Sequence, residues 1–577
     1  TYFSHVPMFA GQHVFKANDT VADALAEAGG LLARGKITHS YPHSWRSKAP
    51  LIFRNTPQWF ISMATNDLRD KALAAIDQVR WVPKAGRNRL RAMIEQRPDW
   101  VISRQRAWGV PIAVFVHKAD GEVLIDPNVN ARIFEVFRDE GADAWFEPGA
   151  AARFLGDAYD PEDWEKVDDI LDVWFESGST HAFVLEQRAD LQWPASLYLE
   201  GTDQHRGWFH SSLLESCGTR GRAPFEAVLT HGFILDEKAQ KMSKSSGTAL
   251  SPQDVIKQFG ADILRLWVVG TDYTKDPVFG PETLKQMADI YRRLRNTLRY
   301  LLGGVAGFET SERIGYEAMP ELERWMLHRV QEFDTALRDA CDGFEFHALF
   351  AKLHTFCAVD LSAFYFDIRK DALYCDAPES DKRRAVRTVL DILFDHLTAW
   401  LAPFTCYTAE EAWLARIEDG ADPSGRAESV HLRTFPEAPA EWRDDALAAK
   451  WRAVRDLRRV VTGALERERA EKRIGSSLQA WPVIYAPEEY AAAVEGLDLA
   501  ELCITSAVDL RFEPVPEGAF PLPDVEGVGV VPGLADGERC ERCWKVLPSV
   551  GRVERHDDLC DRCADAVERL GPIPAEA

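Results

Sequence analysis

Residues 196 to 216 read SLYLEGTDQHRGWFHSSLLES, and this stretch predicts a strand, a glycine-bearing loop and a helix in succession. A second buried strand, AVLTHGFIL, is predicted at residues 227 to 235. Strands that alternate with helices form parallel sheets, and such sheets bind ligands at the carboxyl ends of their strands. Glu200, Asp203 and Gln204 are therefore expected at one strand end, where they would accept hydrogen bonds from hydroxyl and ammonium groups.

The second strand leads into KAQKMSKSSG at residues 238 to 247, which combines three lysines, three serines and a glycine. Such runs are common in solvated surface loops, and that interpretation requires no function. Phosphoryl chemistry, however, requires positive charge where negative charge develops. Lys241 and Lys244, in a loop hinged at Gly247, could supply that charge to a triphosphate and then release pyrophosphate. The sequence thus predicts a crevice between an acidic strand end and a cationic loop.

Length and composition indicate a large folded protein. The chain has 577 residues, of which 46% are hydrophobic and 11% aromatic, and roughly three to five domains are expected. No apolar run approaches the ~18 residues that a membrane span needs, and no secretory leader is recognised. We therefore expect a cytoplasmic protein. The net charge of −23 argues against a nucleic-acid partner for the chain as a whole, although a local basic face can outweigh this sum.

One such basic face is predicted at residues 450 to 473, KWRAVRDLRRVVTGALERERAEKR. Two interpretations remain open. The cations could bind RNA phosphates, or the helix could be a solvated one with internal ion pairs that include Glu466 and Glu468. The clustered cations are Lys450, Arg452, Arg455, Arg458 and Arg459.

The end of the chain predicts a structural zinc site. Cys540 and Cys543 form one C-x-x-C, Cys560 and Cys563 form another, and sixteen residues lie between the pairs. Two knuckles at this spacing can place four thiolates in a tetrahedron around Zn²⁺. A disulfide or a redox C-x-x-C is disfavoured, because the motif is doubled and the other six cysteines are scattered. The metal would supply folding energy to about forty residues that cannot build a core. Basic residues around the knuckles would suit RNA contact: Arg542, Lys545, Arg552 and Arg555.

From about residue 316 the apolar periodicity becomes helical and predicts an amphipathic bundle. Its first run steps by four and three through Leu322, Met326, Val330, Phe333 and Leu337. Similar runs follow from Phe346 and from Val386. The aromatic residues in these runs are interpreted as core.

Several of these blocks resemble one family. KMSKS at 241–245 resembles the second signature of class I aminoacyl-tRNA synthetases. The segments at 57–60, 100–112, 171–181 and 198–214 are similar to blocks of the isoleucyl, valyl and leucyl subgroup. The paired C-x-x-C motifs after a helical bundle resemble bacterial isoleucyl-tRNA synthetases, whereas valyl enzymes would end in a coiled coil. The resemblance implies a multidomain α/β + α protein with a partial Rossmann-like parallel sheet, an all-α anticodon-binding helical bundle and a small zinc-binding module.

The resemblance also implies an activity and its residues. Isoleucine would be activated with ATP and Mg²⁺ to an adenylate and then transferred to tRNA(Ile). Lys244 and Lys241 would be catalytic, within an ATP-binding set of Lys241, Met242, Ser243, Lys244 and Ser245. Glu200 would hold the aminoacyl adenylate, and Trp174 and Trp208 would sandwich the isoleucine side chain unless they are plain core residues. The full adenylate-binding set would be Glu200, Gly201, Asp203, Gln204, Trp174 and Trp208.

The same resemblance suggests a domain plan. It comprises an editing-domain remnant at 1–45, the second half of the catalytic domain at 46–250, a stem-contact segment at 251–315, an anticodon-binding bundle at 316–455, a junction domain at 456–535 and a zinc-binding module at 536–577. In the stem-contact segment, the expected phosphate contacts are Arg292, Arg293, Arg295 and Arg299.

The family's first signature, His-x-Gly-His, occurs nowhere in the sequence, and the catalytic segment of its editing domain is not found. We therefore expect the carboxyl-terminal part of a longer monomeric synthetase, inactive alone. The alternatives are a catalytically inactive tRNA- and zinc-binding protein, or a valyl- or leucyl-tRNA synthetase.

Overall fold

The structure, a computed structural model, describes residues 1–44, 47–53, 55–240, 242, 251–418 and 428–570. The chain forms two units, one made of Thr1–Ser62 and Asp99–Asp172 and the other of Met63–Pro98 and Val173–Ala577. Across the described residues, no helix combines the length and apolar character that crossing a membrane would require. The predicted domain limits at 45 and 250 differ from these divisions and stay predictions.

The first unit contains short antiparallel ladders beside three helices. Its apolar core gathers around Phe115, Trp145 and Phe154, which are all almost fully buried. The strands within the segment at 99–116 are only two or three residues long. The helices are α1 (Asn18–Glu27), α4 (Pro127–Glu140) and α5 (Ala150–Leu155), and the strand pairs are β1 (Phe60–Ile61) with β3 (Trp100–Val101), β4 (Ser103–Arg104) with β7 (Ile170–Leu171), and β5 (Phe115–His117) with β6 (Trp164–Lys166).

A three-stranded parallel sheet lies in the second unit. Its strand order is β2 (Arg80–Val82), β9 (Ala227–His231) and β8 (Tyr198–Gly201). The four amino-terminal residues of β9 are buried, as a central strand of a parallel sheet requires. The chain leaves the sheet at His231, earlier than the predicted end at residue 235. The helices around the sheet are α2 (Leu68–Gln78), α3 (Ala85–Glu95), α6 (Val173–Gly178) and α7 (Trp208–Arg220).

The predicted helical bundle is present, and its core is continuous. All five residues of the first predicted run are buried on α11, and most residues of the two later runs are buried with them. A π-helical stretch at Phe356–Phe366 links α12 to α13. The helices of this region are α8 (Pro252–Phe259), α9 (Ala261–Val269), α10 (Pro281–Val305), α11 (Glu321–Gly343), α12 (Phe346–Thr355), α13 (Asp367–Cys375), α14 (Asp381–Leu401), α15 (Cys406–Glu418) and α16 (Asp445–Ala470).

Helix α16 joins this bundle to the following small domain. Its apolar residues up to Val454 belong to the core of the bundle, and those from Leu457 onward belong to a second core under a four-stranded sheet. That sheet has the order β11 (Asp509–Arg511), β10 (Val483–Tyr485), β13 (Val525–Val531) and β12 (Phe520–Leu522). Two short helices, α17 (Ala491–Val494) and α18 (Leu499–Cys503), complete the domain, and the tail contains β14 (Glu538–Arg539), β15 (Val546–Leu547) and α19 (Asp561–Leu570).

Candidate functional site

The acidic turn and the segment that leads to the lysine loop begin at the same edge of the parallel sheet. Strands β8 and β9 pair with Glu200 beside Thr230 and Gly201 beside His231. Their carboxyl ends are therefore direct neighbours, and the segments that follow them leave from one place. This is the edge at which parallel sheets bind ligands.

The turn after β8 presents its carboxylates outward. The side chains of Glu200 and Asp203 are exposed, whereas Gln204 is half-buried. The Oε1 atom of Gln204 accepts a hydrogen bond of 3.1 Å from the backbone N–H of Trp208, which closes the turn onto the first residue of α7. The two acids are thus available to a ligand, while Gln204 has a positioning contact within the chain.

The buried side chain of His205 forms a hydrogen bond within the same turn. Its Nδ1 lies 2.8 Å from the carbonyl oxygen of Thr202, and because a carbonyl only accepts, Nδ1 donates this hydrogen bond. Burial lowers the pKa of His205, so the ring stays neutral. Its Nε2 is buried without a hydrogen-bond partner among the described residues. Sequence analysis did not identify this residue, although a histidine inside a signature turn is a visible signal.

The two predicted tryptophans both lie near the start of α7. The indole of Trp208 stacks on Tyr198, with ring centroids 4.0 Å apart and planes 8° from parallel, and its Nε1 donates to the Ser177 carbonyl at 2.9 Å. Trp174 is 41% exposed, and a Cβ atom at Gly207 would lie 2.9 Å from its ring. One face of Trp208 is therefore covered by Tyr198, so only its other face could contact a substrate.

A partly buried carboxyl group lies farther along α7. Glu215 follows Trp208 by two helical turns on the same face of the helix. Burial raises the pKa of Glu215 to about 8, and its Oε1 has no hydrogen-bond partner in the part of the chain that the structure describes. A side chain at Gly178 would collide with this carboxyl group. Glu215 was not predicted from the sequence, because an acid beside serines on a helix gives no signal of function.

The segment after β9 is held by a second stretch of chain. The backbone N–H of Gly232 donates to the Tyr273 carbonyl, and that of Phe233 donates to Asp276 Oδ1 at 2.7 Å. A turn at residues 236–240 then reverses the chain, so that the N–H of Met242 donates to the Ile234 carbonyl at 3.2 Å. The side chain of Met242 packs against the cluster that contains Trp267 and Phe279. Of the predicted ATP-binding set, only Met242 lies within the described residues; Lys241, Ser243, Lys244 and Ser245 lie outside them.

The four tail cysteines form a candidate zinc centre. The Sγ atoms of Cys540, Cys543, Cys560 and Cys563 all lie within 4.8 Å of one another and are buried. The Sγ atoms of Cys543 and Cys560 are 3.8 Å apart, close to the edge of a tetrahedron with Zn–S bonds of about 2.3 Å. The backbone N–H of Cys560 also donates to Cys540 Sγ at 3.4 Å, which ties the two knuckles together. The donor set therefore fits a closed, structural zinc site.

Several cations of the basic helix at 450–473 form ion pairs with acids of the same chain. This favours a helix with internal ion pairs over one that binds RNA phosphates. Arg455 pairs with the buried Asp360 at 2.7 Å, Lys450 pairs with Glu321 at 2.8 Å, and Arg459 pairs with Asp524. The two predicted acids also form ion pairs, Glu466 with Arg469 and Glu468 with Arg473. The prediction that Arg542 contacts RNA is also weakened, because its guanidinium donates to the carbonyls of Tyr374 and Cys375.

The exposed cations form a smaller set than the sequence suggested. Arg452 is exposed on α16, and Arg552 and Arg555 are exposed in the tail. The predicted stem-contact arginines are also exposed along α10, where two of them border a cavity of about 350 Å³ with Thr408 and Glu411. These four residues are Arg292, Arg293, Arg295 and Arg299.

Three known families match successive parts of the chain. The family described as tRNA synthetases class I (I, L, M and V) matches residues 14–279. The anticodon-binding domain of tRNA ligase matches residues 323–484, and the zinc finger found in FPG and IleRS matches residues 537–566. The chain thus combines a class I synthetase catalytic domain, a helical anticodon-binding domain and a zinc finger.

Curated relatives are similar in sequence to this chain over nearly its whole length. An isoleucine–tRNA ligase of Brucella abortus is 56% identical over 560 residues, which are 96% of this chain and 57% of that protein. One from Ruegeria pomeroyi is 54% identical over 594 residues, covering 98% of this chain and 60% of that protein. This chain therefore spans less than two thirds of the length of these relatives. Among solved structures, a methionyl-tRNA synthetase of Mycobacterium tuberculosis bound by methionyl-adenylate matches with a TM-score of 0.47 at 16% identity, covering 69% of this chain and 70% of that one.

Proposed function

We propose that the chain belongs to the isoleucine–tRNA ligase family of class I synthetases and that the whole protein joins isoleucine to tRNA(Ile) with ATP. The isoleucine carboxylate attacks the α-phosphorus of ATP, which forms isoleucyl adenylate and releases pyrophosphate. A ribose hydroxyl at the end of the tRNA then attacks the acyl carbon and displaces AMP. The single observation that carries this proposal is the pairing of β8 with β9, because the acidic turn and the segment that leads toward the KMSKS motif leave the sheet at neighbouring strand ends.

The acidic turn binds the amino-acid part of the adenylate. Glu200 and Asp203 are exposed at the end of β8, so their carboxylates can accept hydrogen bonds from an ammonium group and from ribose hydroxyls. Gln204 acts through its contact with the N–H of Trp208 and positions the turn. Gly201 belongs to the same set because it leaves room for the Asp203 carboxylate, whose Oδ1 would lie 2.7 Å from a Cβ at that position.

The isoleucine side chain binds between Trp174 and the face of Trp208 that is opposite Tyr198. Stacking on Tyr198 and the hydrogen bond to Ser177 hold Trp208 rigidly, so little order is lost when a ligand binds. A flat apolar slot suits a branched aliphatic side chain. Such a slot discriminates poorly against a substrate one methylene smaller; isoleucine against valine is the standard illustration of that limit.

The lysine loop binds the triphosphate. Lys244, with the assistance of Lys241, stabilises the charge that develops on the phosphates as pyrophosphate leaves. Mg²⁺ enters with ATP as part of the substrate. The anchor of this loop is Met242, whose N–H donates to the Ile234 carbonyl and whose side chain packs on the neighbouring apolar cluster.

The remaining domains bind tRNA and zinc. The four tail thiolates hold one structural zinc ion, which supplies folding energy and takes no part in adenylate formation. The helical bundle and the exposed arginines of α10 bind the tRNA through its phosphates, so the affinity falls as the salt concentration rises.

The test is isoleucine-dependent exchange of pyrophosphate into ATP by the full-length protein. We expect isoleucine to drive exchange far better than valine or leucine, and Glu200→Gln to lower the rate about 100-fold, as loss of an oriented electrostatic contact does. Glu226→Gln is a matched control, because Glu226 is exposed at the opposite end of the same sheet. A Glu200→Gln variant with unchanged exchange would reject the assigned site, and faster exchange with valine or leucine would reject isoleucine as the substrate.

A separate proposal concerns the activity of the 577-residue chain by itself. Because His-x-Gly-His is absent from its sequence, we propose that it binds tRNA and zinc without forming adenylate. Filter binding at two salt concentrations, together with the exchange assay on this chain, tests the proposal. Measurable exchange by this chain would contradict it.

A further inference from the structure

Both zinc knuckles contain an arginine at the same position. The first reads C-E-R-C at 540–543 and the second reads C-D-R-C at 560–563, so Arg542 and Arg562 each directly precede the second cysteine of their pair. Both arginines contact the same part of the bundle, the carboxyl-terminal end of α13. Two independent turns therefore converge on one helix end.

Arg542 caps that helix end. Its guanidinium donates to the carbonyl oxygens of Cys375 and, at 3.1 Å, of Tyr374. These carbonyls belong to the last residues of α13, where a helix has no further backbone donors of its own. A positive charge at this position also complements the partial negative charge of the helix end. The contact is reciprocal, because the thiol of Cys375 lies 3.7 Å from the Arg542 carbonyl.

Arg562 pairs with two acids, Asp371 within α13 and Asp376 just beyond its last residue. It forms a bidentate pair with Asp371, with one bond of 2.8 Å, and a further contact of 3.3 Å with Asp376. Burial would raise the pKa of Asp371, but the charge and hydrogen bonds of Arg562 hold it below its ordinary value. An acid in this position is costly to leave without its partner.

We propose that these two arginines form a latch that couples zinc binding to the structure of the bundle. The metal holds each C-x-R-C turn in the conformation that directs its arginine at α13, since ligands flank the arginine on both sides. Loss of the metal unfolds both turns, because small zinc modules depend on their metal for folding. The end of α13 then loses its cap, Arg542, and Asp371 loses its partner, Arg562. Zinc thus stabilises the end of a helix that provides none of its ligands.

The latch also sets the geometry of a nearby cavity of about 470 Å³. Tyr374 lines it from the end of α13, and Trp544 lines it from the first knuckle. Both aromatic side chains are more than 60% exposed, at 63% and 62%. Because one ring belongs to the bundle and the other to the zinc module, their separation depends on the latch.

Hydrogen–deuterium exchange on the intact protein tests this coupling. Chelation of zinc should make the amides of residues 367–376 exchange about tenfold faster, which corresponds to ~1.4 kcal/mol of opening free energy. The double variant Arg542→Gln/Arg562→Gln should show the same fast exchange while it still binds one zinc ion per chain. The matched control is Arg552→Gln/Arg555→Gln, which changes two exposed arginines of the same module and should exchange as the wild type does.

A variant on the other side of the contact separates the latch from simple loss of metal. Asp371→Asn/Asp376→Asn leaves both knuckles unchanged and should also speed exchange at 367–376 with full zinc content. Slow exchange in this variant, or in the arginine variant with zinc bound, would overturn the latch. Slow exchange in the chelated wild type would overturn the coupling itself.

Discussion

Glu215 is a carboxyl group whose surroundings disfavour its charged form. It lies on α7 beneath the proposed adenylate pocket, and burial raises its pKa to about 8 from an ordinary 4.5. The folded protein therefore keeps this carboxyl group protonated at neutral pH. The unfolded chain does not, because there the group ionises above its ordinary pKa.

This difference predicts a pH dependence of stability. Between pH 4.5 and about 8, only the unfolded state ionises Glu215, so the free energy of unfolding falls as the pH rises, by up to ~1.4 kcal/mol for each pH unit. Glu215→Gln removes this term. We expect its urea midpoint to exceed that of the wild type at pH 8 and to approach it at pH 5, as followed by tryptophan fluorescence.

Glu186 provides a control, because its pKa is shifted in the opposite direction to that of Glu215. Its hydrogen bond to Arg220 holds its pKa below the ordinary value, so it stabilises the fold above pH 4.5 and loses that effect as the pH falls through its folded pKa. Glu186→Gln should therefore lower the midpoint at neutral pH and have little effect in acid. The same pH trend in both variants would contradict the assignment for Glu215.

At the scale of elements, α16 shows why a charge pattern alone is ambiguous. Its cations are clustered in the sequence, yet Arg455 pairs with Asp360, ninety-five residues earlier, and Arg459 pairs with Asp524, sixty-five residues later. No local pattern reveals partners at such distances. The period of apolar residues on α11, by contrast, is a local signal, and its five predicted core positions are all buried.

The arginines of α16 should therefore divide into two functional groups. Arg455→Ala removes a partner of the buried Asp360 and should cost about 1–3 kcal/mol of stability, read as a lower urea midpoint. Arg452→Ala changes an exposed side chain, so its stability should stay within about 0.5 kcal/mol. If α16 binds tRNA at all, Arg452→Ala should weaken that binding more than Arg455→Ala does. A stable Arg455→Ala variant with weakened tRNA binding would restore the RNA interpretation of that residue.

At the scale of the whole molecule, sequence motifs predicted the elements formed by residues close together in the chain. They did not predict contacts between residues that are far apart in the sequence. The strand, turn and helix around Glu200 were predictable because their residues are contiguous, and the four zinc ligands were predictable from two short spacings. The contacts of Arg542 and Arg562 with α13 join residues 167 or more positions apart. Those contacts became visible only in three dimensions.

The central claim is that the acidic turn and the KMSKS loop face one adenylate site, and a distance measurement tests it most directly. Spin labels on noncanonical side chains at Arg206 and Ser246 of the full-length protein avoid the ten cysteines, and double electron–electron resonance reports their separation. We predict a short distance whose distribution narrows when a non-hydrolysable isoleucyl-adenylate analogue binds. A distance longer than the adenylate could span, unchanged by the analogue, would contradict the account.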